Sequence, residues 1–202
     1  MSEQPSPLGA TAKRAGPSTR DRVLDAALDL FIEQGYDKAS LRELAERMGF
    51  TKAALYYHFK SKSAILSALH LRMHGLLDIP MSILDGGPPS LENFEKFLDA
   101  FIEQIQANQK LFILHRVNQA ALAQMHLQGH EGAHQELEDD AQRIFSDPSL
   151  SPDERLRMMA AFAVGFVVPM MAAFVAVEPV GSTEVVAVDQ LKRLVHQVLR
   201  AE

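Results

Sequence analysis

The chain has 202 residues, 47% of them hydrophobic, with no cysteine and a net charge of −6. Such a length buries a sizeable core and points to two small domains; the missing cysteine excludes disulfide scaffolds, thiolate metal centres and cysteine nucleophiles. The charge is unevenly placed, since residues 1–74 carry eleven Lys/Arg against eight Asp/Glu and residues 75–202 carry nine against eighteen, so a polyanion such as nucleic acid is expected at the N-terminal end.

Residues 1–17 are polar, rich in Pro, Gly and Ala, and without periodicity, which predicts a disordered tail and no secretory leader, hence a cytoplasmic protein. Ser18, with Asp21 three residues on, caps a first helix whose Leu24, Ala27, Leu28 and Phe31 face inward until Gly35 ends it. A second helix is predicted from Ser40, where Ser40 and Glu43 form a capping box and Leu41, Leu44, Ala45 and Met48 recur at helical spacing. Gly49 supplies a tight turn, and Thr51 caps a third helix anchored by Leu55 and Phe59. Lys52, Ala53, Tyr56, Tyr57 and His58 then share an outward face of a cation, a small side chain and three rings, suited to a DNA major groove. One of the two tyrosine rings, in part Tyr57, is expected to close the small core.

Ser61 starts a fourth helix with Ile65, Leu66 and Leu69 inward, ending before Pro80, and its His70 and His74 are expected on a solvated surface. The Gly86-Gly87-Pro88-Pro89 run separates an N-terminal domain, residues 18–78, from a second, residues 88–202. Beyond it Ser90 caps a helix bearing Leu91, Phe94, Leu98, Phe101 and Ile105, residues 111–125 read as one helix, and residues 133–145 as an acidic one. Ser151-Pro152 opens a long helix, and a last helix carries Val188, Leu191, Val195 and Val198 at the spacing of a helix-pairing seam. No strand pattern of useful length occurs, so the fold class is all-α, with about nine helices.

The ordered set Phe31-Ile32-Glu33-Gln34-Gly35-Tyr36, Ala39-Ser40-Leu41-Arg42-Glu43-Leu44-Ala45, Gly49-Phe50-Thr51 and Leu55-Tyr56-Tyr57-His58-Phe59-Lys60-Ser61-Lys62 resembles the N-terminal domain of the tetracycline-repressor (TetR) family of bacterial one-component transcriptional regulators. The resemblance covers under a third of the chain. It implies that residues 40–59 are a helix-turn-helix whose second helix enters the major groove of a palindromic, double-stranded operator. Carried over by position, it makes Ser40, Tyr56 and Lys62 phosphate contacts and Arg42, Lys52, Ala53, Tyr57 and His58 candidates for base edges or nearby backbone. Thr51 completes the candidate DNA-binding set. Ala53 and Ala54 stand where glycine and threonine are frequent in the family, so a hydroxyl contact at position 54 is lost.

Three other signals bear on function. His130-Glu131-Gly132-Ala133-His134 matches H-E-x-x-H, with His126 extending the row and Glu154 as a distant third ligand; a zinc hydrolase is the alternative this raises. Gly132 inside the required helix and the missing continuation of the longer motif speak against it, so no catalytic residue, metal or cofactor is assigned. Residues 159–177 carry no charge, yet the run is alanine-rich, contains Gly165 and Pro169 and lacks an aromatic belt, so a helix buried on all sides fits better than a membrane span. With the last helix it suggests a homodimer joined through a four-helix interface, which the resemblance also implies. Finally, Phe112, His115, Asn118 and Gln119, with Phe162, Phe166 and Met170, are candidates for a pocket binding a small, largely apolar effector, or else plain core and a satisfied polar network. A sequence-nonspecific DNA-binding protein is the remaining reading.

Overall fold

A computed structural model describes residues 16–85, 87–126, 132–175 and 188–201, with side chains described for 16–85, 87–122, 139–168 and 188–201. Every regular element among the described residues is a helix: α1 (Thr19–Gln34), α2 (Leu41–Met48), α3 (Lys52–His58), α4 (Lys62–Gly75), α5 (Asp78–Leu84), α6 (Leu91–Ala107), α7 (Gln109–Val117), α8 (Gln119–His126), α9 (Gly132–Phe145), α10 (Pro152–Val175) and α11 (Val188–Leu199). The expected tail lies, but for Gly16 and Pro17, outside the described residues.

Among the described residues eleven helices stand where about nine were expected, because two apolar runs break. The stretch 111–125 divides at Asn118, whose backbone N–H and side-chain amide both turn back onto the Leu114 carbonyl, the latter at 2.8 Å. The helix after Ser61 stops at Gly75, and Pro80 sits in the first turn of the separate α5, where no backbone N–H is needed.

The caps follow the local chemistry. Ser18 and Asp21 close a reciprocal capping box, and the Ser18 hydrogen bonds hold the Asp21 carboxyl below its usual range. Ser40, Thr51, Ser61 and Ser90 each accept the N–H of the residue three positions on, at 3.0–3.2 Å. At Ser40 only this half of the predicted box forms, and the Glu43 carboxylate instead accepts from Gln34. Before α10, Ser151 and Glu154 hydrogen-bond in both directions, so the residue considered as a distant metal ligand is a cap, its carboxyl held low by Ser151.

One continuous core runs from Val23 and Leu24 of α1 through Leu55, Leu66 and Leu69 to Phe94, Leu98 and Ile102 of α6 and Leu191 and Val195 of α11. Two ladders of ion pairs and hydrogen bonds fix how the helices meet. On α1, Asp25, Asp29 and Glu33, one turn apart, reach Arg72 of α4, Lys110 of α7 and Arg47 of α2 respectively. On α6, Glu95, Asp99 and Glu103 face Arg200, His196 and Lys192 of α11, an order that sets the two helices antiparallel. The pairs on α1 are exposed on both sides, and such pairs stabilise by only about 0–1 kcal/mol each. Their role here is register, while burial supplies the stability.

Gly165 lies where α10 crosses α6 and α11; a Cβ there would meet Ile102, Leu98 and Val195 each at 3.6 Å, ordinary van der Waals contact. Gly165→Ala is therefore expected to stabilise the protein by about 0.5–1 kcal/mol, by removing a helix-interior glycine without a clash. Chemical denaturation measures it, and a destabilised variant would mean that the crossing has no room for a methyl group.

Candidate nucleic-acid interface

The turn between α2 and α3 is made by Gly49, whose φ of 66° and ψ of 26° lie in the left-handed region. Leu55, fully buried, and Phe59, 3% exposed, pin α3 to the core. Lys52, Ala53, Ala54 and Tyr57 are left exposed. The helix contains no acidic residue, so its outward surface carries no carboxylate to repel phosphate.

Tyr57 is 80% exposed, which corrects the expectation that it helps close the core. The half-buried ring is Tyr56, one residue and about 100° around the helix. Lys52 holds its ammonium 5.6 Å from the Tyr56 ring centre, and the Tyr57 and His58 rings meet edge to face at 5.2 Å. These contacts orient the cation and rings without enclosing them. Arg42 is exposed and paired with Glu46 at 2.8 Å, which raises the guanidinium's already high pKa. Ser40 and Thr51 spend their hydroxyls as acceptors in caps, and each hydroxyl still has a proton to donate to a phosphate.

Lys62 is more constrained than a surface lysine. Its ammonium donates to the Tyr36 and Asp37 carbonyls at 2.6 and 3.0 Å and stands 4.4 Å from the Tyr36 ring centre, tying the start of α4 to the turn between α1 and α2. Burial, with Asp37 close by, pushes the Tyr36 phenol up. Two of the three ammonium protons of Lys62 are thus used and one remains for a phosphate. Arg20, stacked 4.7 Å from the Phe59 ring centre, is a further cation at this end of the chain, and no motif in the sequence singles it out.

Lys52→Ala is expected to leave stability within about 0.5 kcal/mol and to change base preference, whereas Lys62→Ala costs about 1 kcal/mol by releasing the turn. Unfolding curves and titrations on two DNA sequences separate the two. Identical behaviour of both variants would remove the distinction.

The candidate effector residues fall into separate groups. Phe162 and Phe166 stack on each other at 5.7 Å and lie tilted against Phe101 of α6, half-buried at the edge of the core. Phe112 is buried. Asn118 caps the break between α7 and α8 with its side-chain amide, and Gln119 is exposed. The Met170 side chain lies outside the described residues, as do those of His126, His130 and His134, so the H-E-x-x-H row is not placed. His115 meets a residue expected on the surface. His70, 7% exposed, stacks on His115 at 5.0 Å with their Nδ1 atoms 3.1 Å apart, and His74 packs edge-on to His70 at 4.5 Å. The expectation of a solvated surface for His70 and His74 is thus corrected: α7 packs over that face of α4, and no local pattern announces a partner forty-five residues away.

Residues 23–69 match the family model described as bacterial regulatory proteins, tetR family. The chain is 44% identical over 62 residues to the HTH-type transcriptional regulator AcrR of Shigella flexneri, covering 31% of this chain and 29% of that protein. It is 46% identical over 46 residues to IcaR of Staphylococcus aureus, the HTH-type negative transcriptional regulator of the icaADBC biofilm operon, covering 23% and 25%. The match thus spans less than a third of either relative. Over 89% of this chain and 98% of the other, the fold superposes on PfmR of Thermus thermophilus, a TetR-family regulator, with a TM-score of 0.65 at 23% identity, a likeness of fold.

Proposed function

We propose that this chain, which belongs to the TetR family through its N-terminal helices, is a transcriptional repressor that binds a palindromic operator as a homodimer and releases it when a small, largely apolar effector binds. The reading rests on one observation above all: α3 is an acid-free helix, held to the core by Leu55 and Phe59, that presents Lys52, Ala53 and Tyr57 to solvent beside a glycine turn. Ser40, Arg42, Thr51, Tyr56, His58 and Lys62 complete the DNA-facing set. Residues 18–78 act as the DNA-binding domain and residues 88–202 as the effector-binding and dimerising domain, with the protein in the cytoplasm.

Dimerisation has its own support. Leu156, Ala160, Ala163 and Val167 are exposed on α10 at spacings of four, three and four, the spacing of a helix-pairing seam. Leu156 and Val167 are 66% and 47% exposed, and Leu194 of α11 is 44% exposed. A second copy of the chain is the partner we assign to this face, whose exposed row has the spacing of a helix-pairing seam.

Two recognition helices must lie about 34 Å apart to reach successive major-groove turns. An effector that favours another separation weakens binding without touching DNA, and a hundredfold loss requires a differential affinity of about 2.7 kcal/mol. The test is titration of the full chain on its own upstream DNA and on random DNA at several salt concentrations. A preference of at least about a thousandfold is expected. Equal affinity with a steep salt slope would instead indicate a sequence-nonspecific DNA-binding protein, and equal helix separation in operator-bound and effector-bound forms would end the release mechanism.

A further inference from the structure

We infer that Arg20 binds a phosphate of the double-stranded DNA backbone at the C-terminal end of α3; this rests on the regulator reading above. Arg20 lies ahead of residues 23–69, which match the family model, so its role is argued from its contacts alone. It belongs to the first turn of α1, and its guanidinium carbon stands 4.7 Å from the centre of the Phe59 ring. Phe59 is 3% exposed, and its backbone N–H donates to the Leu55 carbonyl at 3.0 Å, closing α3. The residue that ends α3 is therefore the floor on which Arg20 rests.

Stacking uses the face of a guanidinium and leaves its N–H donors at the edge. Among the described residues no carboxylate or carbonyl takes those donors. The neighbouring acid is committed elsewhere, since the Asp21 carboxylate accepts the Ser18 N–H at 3.1 Å and the Ser18 hydroxyl at 2.6 Å. By contrast Arg72, Lys96, Lys110, Arg143, Lys192 and Arg200 each hold a carboxylate. A planar cation fixed by a ring and left without an acid suits a phosphodiester, whose two free oxygens accept paired N–H groups from one guanidinium.

The place also fits the dimensions of DNA. With seven residues, α3 is about 10 Å long. Lys52 stands at its start and Arg20 over its end, and Lys60, exposed, follows Phe59 directly. A major groove is about 12 Å wide, so a helix of this length seated in it brings the cations at its two ends to the phosphates that border the groove. Such contacts fix the orientation of the protein on the duplex and carry no base information. Because the Phe59 ring already holds the guanidinium, Arg20 loses less side-chain freedom on binding than an unsupported arginine does.

The experiment is titration of the full chain and of Arg20→Gln, Arg20→Lys and Arg22→Gln on its own upstream DNA and on random DNA at several salt concentrations, with a melting curve for each variant. Arg22 is exposed and lies about 200° around α1 from Arg20, so its replacement removes the same charge from another face. For Arg20→Gln the slope of log affinity against log salt is expected to fall by about 0.9 for each protomer on the DNA. For two protomers that is a loss of about thirtyfold at about 0.15 M salt, equal on both DNAs. Arg20→Lys restores the slope, and Arg22→Gln stays within about twofold of the natural chain, its charge being screened by salt. An Arg20→Gln protein with unchanged slope and affinity, whatever its melting temperature, overturns the inference and leaves Arg20 as a cover for Phe59. Equal losses in Arg20→Gln and Arg22→Gln, a loss confined to one DNA, or a slope that lysine fails to restore overturn it as well. The expected Arg20→Gln loss in a chain that binds both DNAs alike upholds the contact and sinks the operator reading instead, and no binding to either DNA ends both.

Discussion

Val167→Glu is expected to dissociate the proposed dimer and to lower operator affinity by about a hundredfold to ten-thousandfold. Val167 is 47% exposed in the protomer and closes the row Leu156, Ala160, Ala163, Val167 on α10. In a dimer two glutamates would face each other in a seam of alanine and aliphatic side chains. Burying uncompensated charge costs several kcal/mol, enough to favour separate subunits. A lone protomer reaches one half-site, so it loses the effective concentration that makes the second contact intramolecular, worth about 10²–10⁴ in avidity. Light scattering reads the mass and a titration reads the affinity. Val117→Glu is the control, on a residue 60% exposed on α7, and should leave both unchanged. A Val167→Glu protein that remains dimeric would move the interface away from α10.

Leu55→Ala is expected to destabilise the protein by about 2–5 kcal/mol, a large part of the stability of a small domain. Leu55 is fully buried and, with Phe59, is what holds α3 in place. With seven residues and no acidic residue in its first turn, α3 has little helical stability of its own. The loss should therefore appear in DNA binding as well as in the unfolding midpoint. Leu71→Ala, on a side chain 53% exposed on α4, should stay within about 0.5 kcal/mol. Similar costs for the two would mean that α3 is not packed through Leu55.

Much of the DNA-facing unit is legible in the amino-acid sequence because its determinants are local. A capping serine or threonine acts three residues away, Gly49 acts on its own φ, and the inward stripe Leu44, Ala45, Leu55 is set by helical period. The same locality makes the family resemblance readable from residues 31–62, and the charge contrast between the two parts of the chain points to the end that meets DNA. The stretch 111–125 reads as one helix because the period carries across Asn118, while the break depends on where its side-chain amide finds an acceptor.

The all-α class, the caps, the turn and the choice of α3 as the candidate DNA-reading helix therefore follow from local sequence. Which polar groups are buried, and what they touch, is set by packing between distant segments. Tyr56 and Tyr57 are adjacent and chemically alike, yet only packing chooses which ring is half-buried. Lys62 is tied to carbonyls twenty-five and twenty-six residues earlier, and His70 is stacked on a ring forty-five residues later. The cause is the same in each case. Burial of a polar side chain is favourable only when a partner meets it at hydrogen-bond distance, and that partner is supplied by the folded chain.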